Sequence, residues 1–279
     1  MSIPAININD HGDPNTKALL EQAYRTLIQN YQREIISPVF RNQNLSGDLN
    51  SGSLKAARYA NSKSQLYGTA RAAQRGNPLR EKPVLVQIKR LLEIMEEFEQ
   101  FDARTAPAYL KEVISGRNDD HARTIARDTE EDFFLVGRNE GTQVTLTGAN
   151  PAARFEEVVL QLTTLENDFF KGISRNMIYV TMNDATYSAF RVHLNLDTRN
   201  SNVNSAAENF MEYNGVKVFP TPYMPSNVNI MAQARGSIAM PNLVLPYMID
   251  NIQLSYATAL TTGFALTATA VMPDTIFWA

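Results

Sequence analysis

The chain has 279 residues, 44% of them hydrophobic and 20% charged, enough to build one large or two modest globular domains. Its formal net charge of −3 argues against a dedicated nucleic-acid binder, and the absence of cysteine excludes disulfides, thiolate metal sites and cysteine nucleophiles. The N-terminus shows no basic start followed by an apolar run, and no stretch approaches the roughly 20 apolar residues of a membrane-spanning helix. These features predict a soluble protein, made inside the cell.

Residues 1–14 carry Pro4, Gly12 and Pro14 and read as an irregular arm, with Asn15 or Thr16 as a cap for the next helix. From Lys17 to Ile36, Leu20, Ala23, Tyr24, Leu27, Ile28, Tyr31 and Ile35 recur at three and four residues, an amphipathic stripe ended by Pro38. Such a helix serves equally as part of a core or as an arm packing on a neighbour.

Ser46 to Lys82 is the most informative stretch. It holds seven Lys/Arg against two acids, is punctuated by glycine and has few large apolar residues, so it is either disordered or used for binding. Three readings stand for it. It binds nucleic acid through Arg58, Lys63, Arg71 and Arg75 interleaved with Tyr59 and Tyr67; it is simply disordered; or it is an extended hairpin that docks on a sister subunit. From Glu93 to Glu140 the balance reverses to thirteen acids against six Lys/Arg, which suits copies that reach over one another.

Val84, Val86 and Ile88 predict a strand, while Leu91 to Phe101 fits a helix or a strand. Leu110, Val113, Ile114, His121, Ile125 and Phe133 mark a long helix, weakened at Gly116 and with Gly137 placed as its stop. A short strand is expected at Gln143–Thr147. A helix should follow, with Phe155, Val158, Val159, Leu162, Leu165 and Phe169 on one stripe. Next come a strand at Met177–Met182 and a helix capped by Asn183 or Asp184 and carrying Tyr187, Phe190 and Leu194. A polar loop is expected from Asn195 to Asn209, and Asn214-Gly215 predicts a hairpin turn into Val216–Phe219. The tail alternates Phe264, Leu266, Ala268 and Ala270 against Ala265, Thr267 and Thr269. It closes on Ile276-Phe277-Trp278, expected to be tucked in with the sole tryptophan as an anchor.

Chemistry is sparse. His11, His121 and His193 lie far apart, and no phosphate-loop, dinucleotide or nucleophile-elbow motif occurs. His11 between Asp10 and Asp13 offers ligands in a segment unsuited to a preformed site. The clusters Glu96-Glu97-Phe98-Glu99 and Glu130-Glu131-Asp132 read as solvated faces rather than acid–base pairs. No catalytic, cofactor or metal residue is assigned, and His121 reads as a satisfied core or boundary histidine.

The order of parts nonetheless resembles the major capsid proteins of tailed double-stranded DNA phages, an α+β architecture known as the HK97-like fold. Phe98-Glu99-Gln100-Phe101-Asp102 before the long helix and Ile125-Ala126-Arg127-Asp128 within it carry part of the resemblance. Gly215-Val216-Lys217-Val218 and Thr221-Pro222-Tyr223-Met224-Pro225 carry the rest. The resemblance implies an N-terminal arm at 1–45, an E-loop at 46–82 and a peripheral domain at 83–149 with its spine helix at 106–136. An axial domain at 150–250 and a return to the peripheral domain at 251–279 complete it.

The implied function is a non-enzymatic shell subunit forming hexamers and pentamers around phage DNA, without membrane contact. It would be made in the host bacterial cytoplasm and reside in the virion, with packaged DNA, a portal and a scaffolding protein as further partners. No long coiled-coil extension precedes the arm, which implies a separate scaffold or none. Lys55, Arg58, Lys63, Arg71, Arg75 and Arg80 are the expected intersubunit contacts of the loop. Glu96, Glu97, Glu99, Asp119, Asp120 and Glu130 are the expected acidic surface. Some relatives cross-link a loop lysine to an asparagine, but no partner for Lys55, Lys63 or Lys82 can be picked by pattern. An encapsulin-like shell enclosing cargo enzymes is the alternative that shares the fold.

Overall fold

Helix α1 spans Pro14–Glu34 and helix α2 spans Pro107–Glu140 in the computed structural model, which describes residues 14–45, 53–60, 66–67, 81–99, 107–196, 212–251 and 257–279. Pro14 opens α1 instead of closing the preceding arm: its φ is already helical and its missing N–H costs nothing in the first turn. Asn15 and Thr16 therefore lie inside the helix, not at its cap. Ala23, Leu27 and Tyr31, with Ile35 just beyond the helix, are buried in one cluster with Ile114, Ala122, Ile125 and Ala126 of α2. Within this chain, α1 is a core helix.

The 34 residues of α2 give it a length of about 50 Å at 1.5 Å per residue. It does not stop at Gly137. There the missing side chain admits a close neighbour, since a Cβ would stand 2.7 Å from Met231 Sδ and 3.0 Å from its Cε. The helix ends three residues later, with Gly141 N–H bonded to Gly137 O at 3.0 Å.

Strands β1 (Ser53–Tyr59) and β2 (Glu81–Gln87) form an antiparallel stem, and β3 (Arg90–Glu99) follows after two residues. The ambiguous segment 91–101 is thus a strand through Glu99; beyond that it lies outside the described residues. Its whole length pairs with a distant segment, which local periodicity does not report.

The remaining strands are β4 (Thr142–Gln143), β5 (Ile178–Met182), β6 (Glu212–Tyr213), β7 (Val216–Pro220), β8 (Ile230–Ala234), β9 (Ile238–Ala239), β10 (Met248–Asn251), β11 (Ala257–Leu266), β12 (Thr269–Ala270) and β13 (Ile276–Trp278). They assemble as a three-stranded sheet β10-β11-β3, a pair β9-β12 and a six-stranded sheet β4-β13-β8-β5-β7-β6. The tail is therefore shared: β11 pairs with β3, whereas β13 sits between β4 and β8. Asn214 (φ 47°) and Gly215 (φ 78°) make the expected left-handed turn between β6 and β7.

Helix α3 (Pro151–Thr163) is capped by Asn150, whose side chain accepts from Ala153 N–H at 2.8 Å. Helix α4 (Asp184–Leu196) is capped by Asn183 in the same way through Thr186 N–H at 2.8 Å. Leu165 and Phe169, expected on the α3 stripe, fall in the turn beyond it, where Gly172 N–H bonds Leu165 O at 2.7 Å with φ 74°. The expected polar loop begins later than Asn195, which is still helical, and residues 197–211 lie outside the described set.

Both faces of the six-stranded sheet are covered. Phe155, Val158, Val159 and Phe190 of α3 and α4 pack on one side, and Phe133 and Phe134 of α2 pack with Phe40 and Trp278 on the other. Every residue of β5 is consequently buried, so the alternation of Ile178, Val180 and Met182 against Tyr179 and Thr181 does not separate inside from outside. The same holds from Phe264 to Ala268. Trp278 is buried in β13, as an anchor would be.

Candidate functional site

The charged residues expected at subunit contacts divide into three groups. Lys55 lies exposed on β1, opposite Leu85 of β2. Lys63, Arg71, Arg75 and Arg80 lie outside the described residues; next to them in sequence, Leu66 and Tyr67 are 85% and 94% exposed.

Arg58 corrects the expectation. It is buried, ion-paired to Asp274 of its own chain, and its guanidinium sits 3.9 Å from the Phe169 ring centroid and 5.2 Å from that of Phe170. The physical reason is strand parity. Leu54 and Arg58 share a face of β1, and Leu54 pairs with Val86, which is fully buried. Arg58 thus joins the hairpin stem to the body of the molecule, and the signal for it in the sequence was the spacing Leu54-x-Ala56-x-Arg58.

The acidic group also splits. Glu97 is exposed on β3, and Glu99 closes that strand. Asp119 is exposed and accepts from Asn30 Nδ2 at 2.6 Å, tying α2 to α1; Asp120 is exposed and stands 3.0 Å from Arg117. Glu96 is engaged rather than open. Arg117 Nε donates to its two oxygens at 2.8 and 3.0 Å, and these bonds hold the carboxyl below the usual glutamate range.

His121 Nε2 lies 3.2 Å from Glu96 Oε2, outside hydrogen-bonding geometry. Its Nδ1 meets Tyr247 Oη at 2.8 Å; Tyr247 donates to Asn118 Oδ1 at 2.8 Å, and Asn118 Nδ2 donates to Ala23 O at 3.0 Å. Burial raises the Tyr247 phenol above its ordinary range. His121 is therefore a core histidine, and this polar chain joins α2, the residue ahead of β10 and α1.

Glu130 is not a surface acid. It is fully buried on α2, where Oε1 accepts from Ser37 N–H at 3.1 Å, and burial pushes its pKa up to about 7. Tyr31 shares this environment, and its phenol is pushed up to about 12 by burial. Glu130 lies on the inward side of α2, between Ala126 and Phe133.

What the sequence did not single out is the outer face of the three-stranded sheet. Leu91 and Met95 of β3 are 60% and 56% exposed, Glu93 and Glu97 alternate with them, and Met248 of β10 is also 56% exposed. Met95 and Met248 both pair with Thr261 of β11, so they lie in one row across the sheet. Among the described residues, no group of three or more His, Asp or Glu is arranged to hold a metal ion. No helix among them is long and apolar enough to cross a membrane.

No protein-family model and no curated protein matches the sequence. Solved structures do match. A structure from Mycobacterium phage Che8 aligns with a TM-score of 0.61 at 13% identity, covering 89% of each chain. The capsid of an empty GTA particle aligns at 0.60 and 12% identity over 88% of this chain and 89% of that one. The capsid structure of Cyanophage P-SCSP1u aligns at 0.59 and 9% identity over 85% and 84%. At such identities the likeness establishes the fold: this chain has the HK97-like capsid fold that the order of its parts implied.

Proposed function

We propose that the chain is a major capsid (head) protein that self-assembles into hexamers and pentamers of an icosahedral shell enclosing phage double-stranded DNA. The observation that carries this reading is the agreement of fold over nearly nine-tenths of this chain and of the GTA capsid subunit. We assign the chain no catalytic role.

In this reading, residues 1–45 are an arm, 46–82 an E-loop, 83–149 with 251–279 a peripheral domain and 150–250 an axial domain. The loop charges Lys55, Lys63, Arg71, Arg75 and Arg80 meet acids of a neighbouring copy, among which Glu97, Asp119 and Asp120 are exposed. Exposed ion pairs contribute only about 0–1 kcal/mol each, so the contact draws its strength from repetition around the shell and weakens with salt. A net charge of −3 suits a wall that holds packaged DNA weakly. A portal is a further partner, and a scaffolding protein is another if assembly of the shell requires one. The protein is made in the host bacterial cytoplasm and resides in the virion.

Electron microscopy and light scattering of the expressed chain, with and without a scaffold, test the reading. Closed shells support it, and monomers alone under every assembly condition remove it. Particles filled with enzyme and lacking nucleic acid would instead indicate a cargo-enclosing shell.

A further inference from the structure

The joint between α1 and α2 is packed but poorly satisfied. Tyr31 Oη at the end of α1, Ser37 Oγ just beyond it and Glu130 Oε2 on α2 are all buried without a hydrogen-bond partner among the described residues. Thr129, beside Tyr31, gives its hydroxyl to the Ile125 and Ala126 carbonyls at 2.7 and 3.1 Å instead. Buried polar atoms left unpaired weaken a fold, so three at one joint make it a place where the structure opens readily.

Glu130 fastens this joint, its Oε1 accepting from Ser37 N–H at 3.1 Å where the 3-10 turn Ser37–Val39 begins. The titratable and charged groups that face it are Tyr31 of α1, Arg41 beyond the turn and Tyr223 in the loop after β7. Arg41 is committed elsewhere, donating through Nη1 to Met240 O at 2.9 Å and Asn242 Oδ1 at 2.8 Å. A neutral carboxyl suits such a site. A carboxylate would leave a charged oxygen unpaired in a fully buried position, which costs far more than an unpaired neutral group.

The two sides of the joint are held unequally. Beyond the turn, Phe40 is buried among the rings of Phe133, Tyr179 and Phe219, Gly236 N–H bonds Phe40 O at 2.8 Å, and Asn42 N–H bonds Ile238 O at 2.8 Å. Ahead of the turn, a cleft of about 390 Å³ separates Tyr24, Ile28, Tyr31 and Gln32 from residues 242–246 opposite. Apart from the Glu130 contact, Asn30 Nδ2 donates to Asp119 Oδ1 at 2.6 Å on an exposed face, and Arg123 stands 4.0 Å from Glu34. We propose that Glu130 is a proton-operated latch on α1. Neutral, it holds Ser37 to α2 and keeps α1 in the core of its own chain. Ionised, it draws in water, and the joint opens at Ser37–Val39. The half of α1 from Leu27 to Glu34 is then freed while Phe40 stays in place. The latch belongs to the single chain and stands or falls apart from the shell reading.

Hydrogen exchange of the unassembled full chain, corrected for intrinsic rates, tests the latch. At pH 8 the amides between Leu27 and Val39 should exchange at least about tenfold faster than those of β5 and β8, which open only with the whole fold. The closed state keeps a proton that the open state releases, so opening is favoured as pH rises. From pH 8 down to pH 6, protection between Leu27 and Val39 should therefore rise about tenfold, the factor for a group titrating at about 7 when closed and at 4.5 when open. Glu130→Gln, which keeps an acceptor for Ser37 N–H, should remove that rise. Exchange of both sets of amides in step at both pH values, or a rise that survives Glu130→Gln, would overturn the latch.

Asp132 is the competing acid on α2. Burial raises its carboxyl as well, and it accepts from Ala268 N–H at 3.2 Å. Asp132→Asn should leave the rise in protection in place, and its loss in this variant would assign the titration to Asp132 and overturn the proposal. The wild-type chain and Asp132→Asn together decide the matter even where Glu130→Gln does not fold.

Discussion

In the six-stranded sheet, β5 and β8 are buried at every position, because α3 and α4 cover one face and the end of α2 with Phe40 covers the other. Among the described residues, the three-stranded sheet is covered only on the face toward α1 and α2, and its other face carries exposed Leu91, Met95 and Met248 beside an unpaired edge. Antiparallel sheets tolerate one solvated face, but that face is normally polar. The difference teaches that one sheet is complete within a single chain. The other presents apolar and acidic side chains that suit a partner.

The largest effect expected from this contrast lies in the complete sheet. Phe155 is fully buried, stacked on Phe190 at 5.3 Å and edge-on to Tyr213 at 5.4 Å. Phe155→Ala should destabilise the unassembled chain by about 3–5 kcal/mol in urea unfolding, since neither helix nor sheet can close the void. A loss below about 1 kcal/mol would mean this core is loosely packed.

The next effect lies where α2 passes from one core to the other, at Glu130. Its folded pKa of about 7 stands above the ordinary glutamate value of 4.5, so between these values the folded state keeps a proton that the unfolded chain has released. Stability contributed by the protonated form is complete below about pH 4.5 and is lost as pH rises to about 7, on the order of 1–3 kcal/mol. Glu130→Gln should flatten that slope and stabilise the protein at pH 8, as read by thermal unfolding at pH 5 and pH 8. An unchanged slope would place the titrating group elsewhere.

The smallest effect is expected on the open face. Met95→Ala should shift the unfolding midpoint of the unassembled chain by no more than about 0.5 kcal/mol, because most of its side chain already meets water. A loss comparable to that of Phe155→Ala would show that the face is covered within the chain, and the contrast between the sheets would dissolve.

Much of this was legible in local pattern. Spacing located α1 to within three residues, and Asn214-Gly215 announced its turn because only a left-handed pair closes so tight a hairpin. The loop's basic charge and the acidity after Glu93 are properties of composition. Local pattern failed wherever a remote segment decided the environment. Leu91–Phe101 carries helical and strand periodicities together, and β11, more than 150 residues later, selects the strand. Gly137 has the form of a helix stop, yet it lies where the Met231 side chain leaves no room for a Cβ.

Among the candidate site residues the same division holds. The sequence by itself determined that a glycine-punctuated basic segment precedes a long acidic helix and that no catalytic motif accompanies them; these depend on residue type and order alone. It could not separate Glu97, exposed on β3, from Glu130, buried on α2, or Lys55 from Arg58, three strand positions away and on the opposite face. Charge is a property of the residue, whereas its availability depends on what packs against it. Only the tertiary structure supplied Asp274, Phe169 and Phe170 to take up Arg58, and Ser37 to meet Glu130. Only it left one edge and one face of β3 without a cover among the described residues.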